Sequence, residues 1–193
     1  MVEPTTRRVV DVPDRVLVAA AQDGDREAFG VLVERHQAAM YRLAFRLLGS
    51  RSDAEDAEDA GQEGFVQAWR SIDRFRAEST FSTWLHRIVT NKCLDVIASR
   101  RTVDELPEAW TAAAAATGAG GDAATVAEGR ARFRTVADAI ARFPTDQRAA
   151  LVLRDLQGLG YAEVADVLDV PLSTIRTRIH RARLAVVQDV GEL

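Results

Sequence analysis

Cysteine and histidine are scarce in this chain, and their scarcity excludes several kinds of site. The single cysteine, Cys93, leaves no internal disulfide and no cysteine-based zinc site among 193 residues. The three histidines, His36, His86 and His180, have no carboxylate spaced to complete a metal site beside them. His36 lies on the apolar stripe of its helix, and we interpret it as a packed or edge histidine. We therefore expect that the protein binds no metal ion.

The sequence also lacks the patterns that carry catalysis. It has no glycine-rich phosphate loop, no paired metal ligands and no Ser/His/Asp spacing that rises above chance. We therefore expect no catalytic residues, no cofactor and no enzymatic activity.

Long apolar runs are absent as well. No run approaches the roughly 20 residues that span a bilayer, and the N-terminus has no long apolar segment of the signal-peptide kind. We therefore expect a cytoplasmic protein with no membrane insertion.

Prolines are few, and their positions divide the chain. No proline lies between Pro13 and Pro107, which predicts a helical domain over residues 14–101. Within it, Asp25 is predicted to cap a long amphipathic helix that Gly49 ends. Residues 102–129 are rich in alanine, threonine and glycine and carry five acidic and no basic side chains, which predicts a flexible linker. Helical periodicity resumes in residues 130–193, which predicts one helix closed by Pro144 and a second stopped by Gly158. The predicted fold class is all-α: two small helical domains joined by a flexible acidic linker.

A strongly acidic helix is predicted to begin at Ser52 or Asp53, in the segment SDAEDAEDAGQEGFVQAW. Its first turns carry six carboxylates, and negative charge at the start of a helix interacts favourably with the helix dipole. Two explanations stay open for these acids. They serve helix capping and solubility, or they form a docking surface for a basic partner helix.

Aromatic and basic side chains are interleaved in FRAESTFSTWLHRIVTNKCLDVIASRR, residues 75–101. The periodicity predicts one helix over roughly residues 80–99, capped by Ser79 or Thr80. Aromatic faces among cations can stack unpaired bases and hold their phosphates, which predicts a grip on single-stranded nucleic acid. The alternative is that these aromatic side chains belong to the core and that the arginines form a solvated rim.

The segment YAEVADVLDVPLSTIRTRIHRARLAVV predicts a helix-turn-helix near the C-terminus. One helix runs from Tyr161 to Leu168, and a second runs from about Ser173 to Val187 after a tight turn. Residues 172–187 hold four arginines and no acid, which suits the major groove of DNA. A basic amphipathic helix that binds membrane or another protein is the alternative.

These motifs together resemble a known family. AEDAGQEGFVQAW, FRAESTFSTWLHRIVTNKCLD and FPTDQRAALVLRDLQGLGYAEVADVLDVPLSTIRTRIHRAR follow one another as in bacterial RNA polymerase sigma factors of the small, extracytoplasmic-function (ECF) type. The resemblance covers roughly residues 14–101 and 130–187. It implies an alternative sigma factor that binds core RNA polymerase, directs it to specific promoters and promotes strand opening for transcription initiation.

The resemblance also implies a role for each part of the chain. Residues 14–101 would dock on polymerase and recognise and melt the minus-ten element, residues 102–129 would thread the polymerase cleft, and residues 130–193 would read the minus-thirty-five duplex. The implied docking residues for the coiled coil of the polymerase β′ subunit are Glu58, Asp59, Gln62 and Glu63. The implied minus-ten residues are Phe75, Arg76, Phe81, Trp84, Arg87, Asn91, Lys92, Asp95, Arg100 and Arg101. The implied minus-thirty-five residues are Ser173, Thr174, Arg176, Thr177, Arg178 and Arg181. The implied partners are the β′ and β subunits of core polymerase, promoter DNA and an anti-sigma factor.

The chain departs from the family pattern in its acidic helix and in its helix-turn-helix. Residues 54–56 and 57–59 repeat Ala-Glu-Asp in tandem where the family has one copy, and we favour the second copy for docking because Gln62 and Glu63 then keep their spacing. Gly160 stands where a serine or threonine often caps the first helix of the motif, which predicts a weaker cap.

A conventional helix-turn-helix transcriptional regulator that acts without replacing sigma is the alternative function. It would explain residues 130–193 equally well. It would not need the aromatic and basic segment of residues 75–101.

Overall fold

The computed structural model describes residues 12–49, 53–103 and 142–191, which form helices and turns and contain no strand. Seven α-helices lie in these ranges: α1 (Asp14–Gln22), α2 (Arg26–Leu48), α3 (Asp53–Ser71), α4 (Phe81–Val103), α5 (Thr145–Leu151), α6 (Tyr161–Leu168) and α7 (Leu172–Gly191). A 3₁₀ turn (Ile72–Arg74) follows α3, and a π-helical turn (Val152–Leu156) follows α5. The predicted all-α class with two helical domains is confirmed. Most of the predicted linker, and the helix predicted before Pro144, lie outside the described residues.

Helix α2 begins and ends at the predicted residues. The Asp25 carboxylate accepts hydrogen bonds from the backbone N–H groups of Glu27 at 2.9 Å and Ala28 at 3.1 Å, which satisfies donors left open by the first turn. Gly49, with φ of 88°, ends the helix in the left-handed region, where a side chain would be strained. Both signals are local, and this is why the sequence was sufficient to predict them.

Helix α1 is short and was not singled out by the sequence patterns. It buries Leu17, Val18 and Ala21 against the long helices. Asp14, in its first turn, pairs with Arg35 and places its other oxygen 2.8 Å from His36 Nε2, both on α2. The predicted interpretation of His36 as a packed or edge histidine agrees with this contact.

Helices α2, α3 and α4 form the N-terminal core around fully buried leucines and small residues. Gly64 on α3 lies so close to α4 that an added Cβ would meet Val89 Cγ2 at 2.6 Å. Phe29 packs on Trp69 with ring centroids 5.0 Å apart, which joins α2 to α3 on the other side. The close approach at Gly64 fixes the distance between α3 and α4, the two helices that carry the predicted docking and minus-ten residues.

The C-terminal helices pack around Val152, Leu153, Val164, Ile175 and Ile179, all of which are buried. The predicted helix before Gly158 is present, but its last turn is a π-helix.

The two domains touch, and each supplies an arginine to a helix end of the other. Arg148 Nη1 donates to the Leu47 carbonyl oxygen at 2.8 Å, in the last turn of α2. Arg46 Nη1 donates to the Leu156 carbonyl oxygen at 3.3 Å, at the end of the π-helical turn. Carbonyl groups at helix ends lack intrahelical partners, so these two contacts satisfy acceptors across the interface.

Candidate nucleic-acid and partner-binding site

The acidic face of α3 is open to solvent. Glu58, Asp59, Gln62 and Glu63 are all exposed, and the apolar Val66 beside them is 48% exposed. Gln62 donates to the Glu58 carboxylate at 3.2 Å, which holds two of these side chains together. The opposite face of α3 is alanine and glycine packed in the core. The exposed face of α3 therefore presents clustered carboxylates around an apolar side chain.

The tandem Ala-Glu-Asp repeat forms one continuous helix. Ala57 is fully buried, so the second copy is anchored to the core and presents Glu58 and Asp59 outward. Asp56 of the first copy pairs instead with Arg100 on α4. This pairing occupies the first copy's aspartate, whereas Glu58 and Asp59 of the second copy are exposed.

The predicted aromatic residues form a triangular cluster at the start of α4. Phe75 and Trp84 lie 5.2 Å apart by ring centroids, Phe81 and Trp84 lie 5.8 Å apart, and Phe75 meets Phe81 edge to face at 6.2 Å. Phe75 and Trp84 are half-buried, whereas Phe81 is only 4% exposed. Phe81 therefore does not fit the predicted direct stacking on a base, because its ring is already packed in the core. For Phe81, the alternative that the aromatic side chains belong to the core is correct.

The loop of residues 75–80 is held at both ends. At its start, Gln22 Nε2 donates to the carbonyl oxygens of Ile72 at 3.0 Å and Phe75 at 2.9 Å. At its end, Thr80 Oγ1 accepts from the backbone N–H of Thr83 at 3.1 Å and so caps α4. Of the two predicted caps, Thr80 is the one used. No sequence pattern marks Gln22, because its partners are backbone atoms 50 and 53 residues away.

One face of α4 carries exposed polar side chains beside this cluster. Arg87, Asn91 and Asp95 recur at four-residue spacing and are all exposed, as predicted from the helical period. Lys92 turns towards α3 and pairs with Glu63 at 3.0 Å. The structure thus joins one predicted minus-ten residue to one predicted docking residue. Arg76, also predicted for the minus-ten element, is exposed in the loop, and the side chain of Arg101 lies outside the description.

The helix-turn-helix has its predicted form. Asp169 adopts a left-handed conformation with φ of 53°, and Val170 N donates to the Ala165 carbonyl oxygen at 3.1 Å to close the turn. The second helix, α7, runs somewhat beyond the predicted ends.

The predicted minus-thirty-five residues mostly point outward on α7. Ser173, Arg176, Thr177 and Arg181 are exposed, and Thr174 is half-buried. Arg178 differs, because its guanidinium pairs with Asp146 of α5 at 3.1 Å.

Gly160 has no side chain to accept from the first turn of α6, and Glu163 supplies the other half of a capping box. Its Oε2 accepts from the Gly160 backbone N–H at 2.7 Å, which is the carboxylate half of a capping box. Its Oε1 accepts from the Thr83 hydroxyl of the other domain at 2.7 Å. These two hydrogen bonds hold the pKa of the Glu163 carboxyl below its usual value. The weaker cap predicted at Gly160 is observed, because α6 lacks the hydrogen bond that a serine or threonine side chain would accept from its first turn.

The packed domains cover part of the α4 polar face. Arg87 lines an open cleft whose other wall is formed by Ala165, Asp166 and Asp169 of the helix-turn-helix. His86, one residue earlier, is buried at the same interface, and its Nδ1 donates to the Ser82 carbonyl oxygen at 2.7 Å. Burial is the largest influence on this imidazole and lowers its pKa.

No helix within the described ranges is long and apolar enough to cross a membrane, and no cluster of three metal-ligating side chains occurs there.

Comparison with known proteins identifies the family. The sigma-70 region 2 model matches residues 32–103, and the sigma-70 region 4 model matches residues 133–186. The chain is 36% identical over 181 residues to the RNA polymerase sigma-H factor of Pseudomonas aeruginosa, covering 90% of this chain and 91% of that protein. It is 38% identical over 176 residues to the ECF RNA polymerase sigma-E factor of Haemophilus influenzae, covering 88% and 91%.

Solved structures show the same fold. The structure of CnrH in complex with the cytosolic domain of CnrY is similar with a TM-score of 0.68 at 29% identity, covering 93% of this chain and 97% of that one. The sigma factor RpoE of Bartonella quintana, solved with the anti-sigma factor NepR, is similar in fold with a TM-score of 0.69 at 22% identity, covering 84% and 96%.

The chain belongs to the sigma-70 family, and within it to the ECF sigma factors. It is an alternative sigma factor that directs RNA polymerase to promoters, as the resemblance implied. The match to region 2 favours this function over that of a conventional regulator, which would need only the helix-turn-helix. Sigma factors regulate transcription initiation and are not themselves enzymes.

Proposed function

We propose that this sigma factor divides promoter recognition among three surfaces: the acidic face of α3, the loop of residues 75–80 with the polar face of α4, and the exposed side of α7. The observation that carries this proposal is the exposed row of Arg87, Asn91 and Asp95 beside the half-buried rings of Phe75 and Trp84. A row of polar groups next to aromatic rings can hold a strand by its phosphates while the bases stack.

The acidic face of α3 is the proposed docking surface for core polymerase. Glu58, Asp59 and Gln62 present two carboxylates and an amide around the exposed Val66, which suits a basic helix with an apolar side chain at its centre. By resemblance, that helix lies in the coiled coil of the β′ subunit. Glu63 takes part after exchanging Lys92 for a polymerase cation, since exposed ion pairs contribute little free energy and exchange readily.

The minus-ten element is the proposed ligand of the loop and of α4. Phe75 and Trp84 offer ring edges at the surface, and Arg76 stands in the loop that receives a flipped base. Phe81 supports both rings from below and does not contact DNA itself. Lys92, Arg100 and Arg101 would contribute positive charge along the strand, the first two after leaving Glu63 and Asp56.

The minus-thirty-five duplex is the proposed ligand of α7. Ser173, Arg176, Thr177 and Arg181 form its exposed reading side, with Thr174 at the edge. Arg178 is held by Asp146, so we assign it to phosphate contact near α5 instead of base reading.

The packed arrangement described above must open on a promoter. The names of the two elements place them about 25 base pairs apart, which is roughly 85 Å of duplex at about 3.4 Å per base pair. Two small domains in contact cannot span that length. Core polymerase, through its β′ and β subunits, would hold the domains apart. An anti-sigma factor would oppose this by binding the closed arrangement, in which the two domains are in contact.

Trp84→Ala in reconstituted holoenzyme tests the assignment of the minus-ten surface. We expect unchanged affinity for core polymerase and reduced open-complex formation, because Trp84 packs with Phe75 and Phe81 and the docking surface is assigned to α3. Permanganate reactivity of promoter thymines measures strand opening, and Trp69→Phe is the control, since Trp69 is also half-buried but packs on Phe29 of α2. Normal opening by the Trp84 variant would contradict the assignment.

A further inference from the structure

Gln22 connects the N-terminal helix to the loop that precedes α4. It is the last residue of α1, and its side-chain amide donates two hydrogen bonds to backbone carbonyl oxygens of one short turn. Ile72, the first acceptor, begins the 3₁₀ turn, and Phe75, the second, follows it. An amide that bridges two carbonyls three residues apart fixes the direction in which the chain leaves the turn.

The position of Gln22 is itself rigid. Ala21 beside it is 1% exposed, and the chain reverses directly afterwards, with Gly24 N donating to the Ala21 carbonyl oxygen at 3.0 Å. Asp25 then donates its N–H to the Ala20 carbonyl oxygen at 3.0 Å and caps α2. The Gln22 side chain therefore starts from a backbone that cannot shift without disturbing both α1 and α2.

The two carbonyl groups that accept from Gln22 determine the position of the Phe75 backbone. The Ile72 carbonyl also accepts from the Phe75 backbone N–H at 3.0 Å, so Phe75 is bonded to the turn through its N–H and to Gln22 through its carbonyl oxygen. The Phe75 ring packs against the Trp84 ring. Immediately beyond, Ala77 takes φ of 54°, a conformation that costs an alanine free energy and persists where the surroundings impose it.

We propose that Gln22 is a positioning residue for promoter opening, which sets the loop of residues 75–80 in the conformation that receives a flipped minus-ten base. This inference rests on the proposed function of that loop. It extends the opening machinery to α1, which lies before the segment matched by the region 2 model at residues 32–103. Gln22 acts through the backbone of Phe75 and does not contact DNA.

Two variants separate this role from general stability. Gln22→Leu keeps the size of the side chain and removes both donors, and Gln22→Glu replaces the donors with a carboxylate that repels the two carbonyl oxygens. Gln37→Leu is the matched control, because Gln37 is an exposed glutamine on α2 with no place in the proposed surfaces.

The first measurement uses the free protein and no DNA. Arg74 and Arg76 are exposed trypsin sites on either side of Phe75. We expect both Gln22 variants to be cut at these sites at least about threefold faster than the wild type under native conditions, with the Gln37 variant unchanged. Equal cleavage rates for all proteins would overturn the proposal, since the loop would then be held without Gln22.

The second measurement uses holoenzyme and single-stranded minus-ten oligonucleotides with one abasic position at a time. The wild type should lose affinity sharply when the flipped base is missing. The Gln22 variants should lose about tenfold in affinity for the intact strand and become insensitive to that one abasic position, with core polymerase affinity retained.

Three outcomes distinguish the inference from the function it rests on. Faster cleavage together with loss of discrimination at one base supports the positioning role. Faster cleavage with full discrimination overturns that role and leaves the minus-ten assignment intact. If the wild-type holoenzyme binds every abasic strand as tightly as the intact strand, the proposed function of the loop is overturned. The positioning role is then overturned too. The cleavage rates still show whether Gln22 holds the loop.

Discussion

Thr83 donates its hydroxyl hydrogen to the carboxylate of Glu163 at 2.7 Å, across 80 positions of sequence. Thr83 belongs to the capped first turn of α4, and Glu163 provides the cap of α6, so one hydrogen bond joins the N-termini of two helices in different domains. Helix α4 and the helix-turn-helix are therefore coupled where the two domains are in contact. Opening of the domains must break this bond.

Glu163→Ala and Thr83→Val should have different consequences. The alanine variant loses both the α6 cap and the link between domains, and loss of a cap costs about 0.5 to 2 kcal/mol. Hydrogen exchange of the amides in Tyr161–Leu168 should accelerate in this variant. Thr83→Val removes the link and the hydrogen bond to Thr80 Oγ1 but leaves the Gly160–Glu163 hydrogen bond, so exchange in α6 should stay near the wild-type rate. Equal acceleration in both variants would show that α6 depends on the interface and not on its own cap.

The closed arrangement should weaken in mild acid through His86. The imidazole is buried between α4 and the C-terminal domain, with Glu163 of α6 and His36 of α2 as the ionisable groups that act on it, and burial lowers its pKa. Once the domains separate, the pKa should return towards the ordinary value of about 6.5. Protonation therefore favours separation: closure is fully stable above about pH 6.5 and weakens as the pH falls below that value.

Energy transfer between dyes on the two domains measures this opening. Cysteines introduced at the exposed positions Gln67 and Gln188 can be labelled selectively, because burial raises the pKa of the native Cys93 thiol to about 12. We expect transfer to fall between pH 7 and pH 5 while helical circular dichroism is retained. His86→Asn, which keeps a donor for Ser82, should abolish the change. A transition that survives in this variant would assign it to another group.

Gly64→Ala should destabilise the N-terminal domain. The new methyl group would meet Val89 Cγ2 at 2.6 Å, and overpacking of this kind costs about 1 to 3 kcal/mol. Gly61→Ala is the matched control on the same helix, because nothing lies within 4 Å of its added Cβ. That variant should gain up to about 1 kcal/mol from helix propensity. Urea unfolding followed by tryptophan fluorescence compares the two, and a similar sign for both would contradict the close approach of α3 to α4.

The tandem acidic repeat predicts unequal effects of charge reversal. Glu58→Lys, in the second copy, should weaken core polymerase binding at least about tenfold, because it places a cation on the proposed docking face. Glu55→Lys, in the first copy, should have a much smaller effect although Glu55 is also exposed. Competition for core polymerase against a labelled sigma factor gives both affinities. A larger loss for Glu55 would assign docking to the first copy.

Local signals allowed much of the fold to be predicted from sequence. Asp25, Gly49 and the turn at Asp169 act on their own neighbours, so helix ends and the helix-turn-helix are predictable. Apolar spacing correctly gave α4, but it could not tell buried Phe81 from half-buried Trp84, because both lie on the apolar side and burial depends on what packs against each ring.

The remaining features depend on contacts between distant residues. Gln22 binds carbonyl oxygens 50 and 53 residues away, and Glu163 binds a hydroxyl 80 residues away. Arg178 has the sequence context of a base-reading arginine and yet pairs with Asp146. No pattern within a helix reports such pairings, since they are set by how the helices assemble. The roles assigned to the docking and promoter residues stay predictions until measured.

Run-off transcription shows whether promoter recognition by this protein depends on core RNA polymerase. Core bacterial RNA polymerase would be supplied with fragmented genomic DNA, with and without this protein, and the transcripts would be sequenced. We predict transcripts that depend on the protein and share two upstream elements. The Arg176→Ala variant should no longer recognise one of these elements. Absence of such transcripts, together with tight duplex binding by the protein alone, would contradict the assignment of polymerase-dependent promoter recognition.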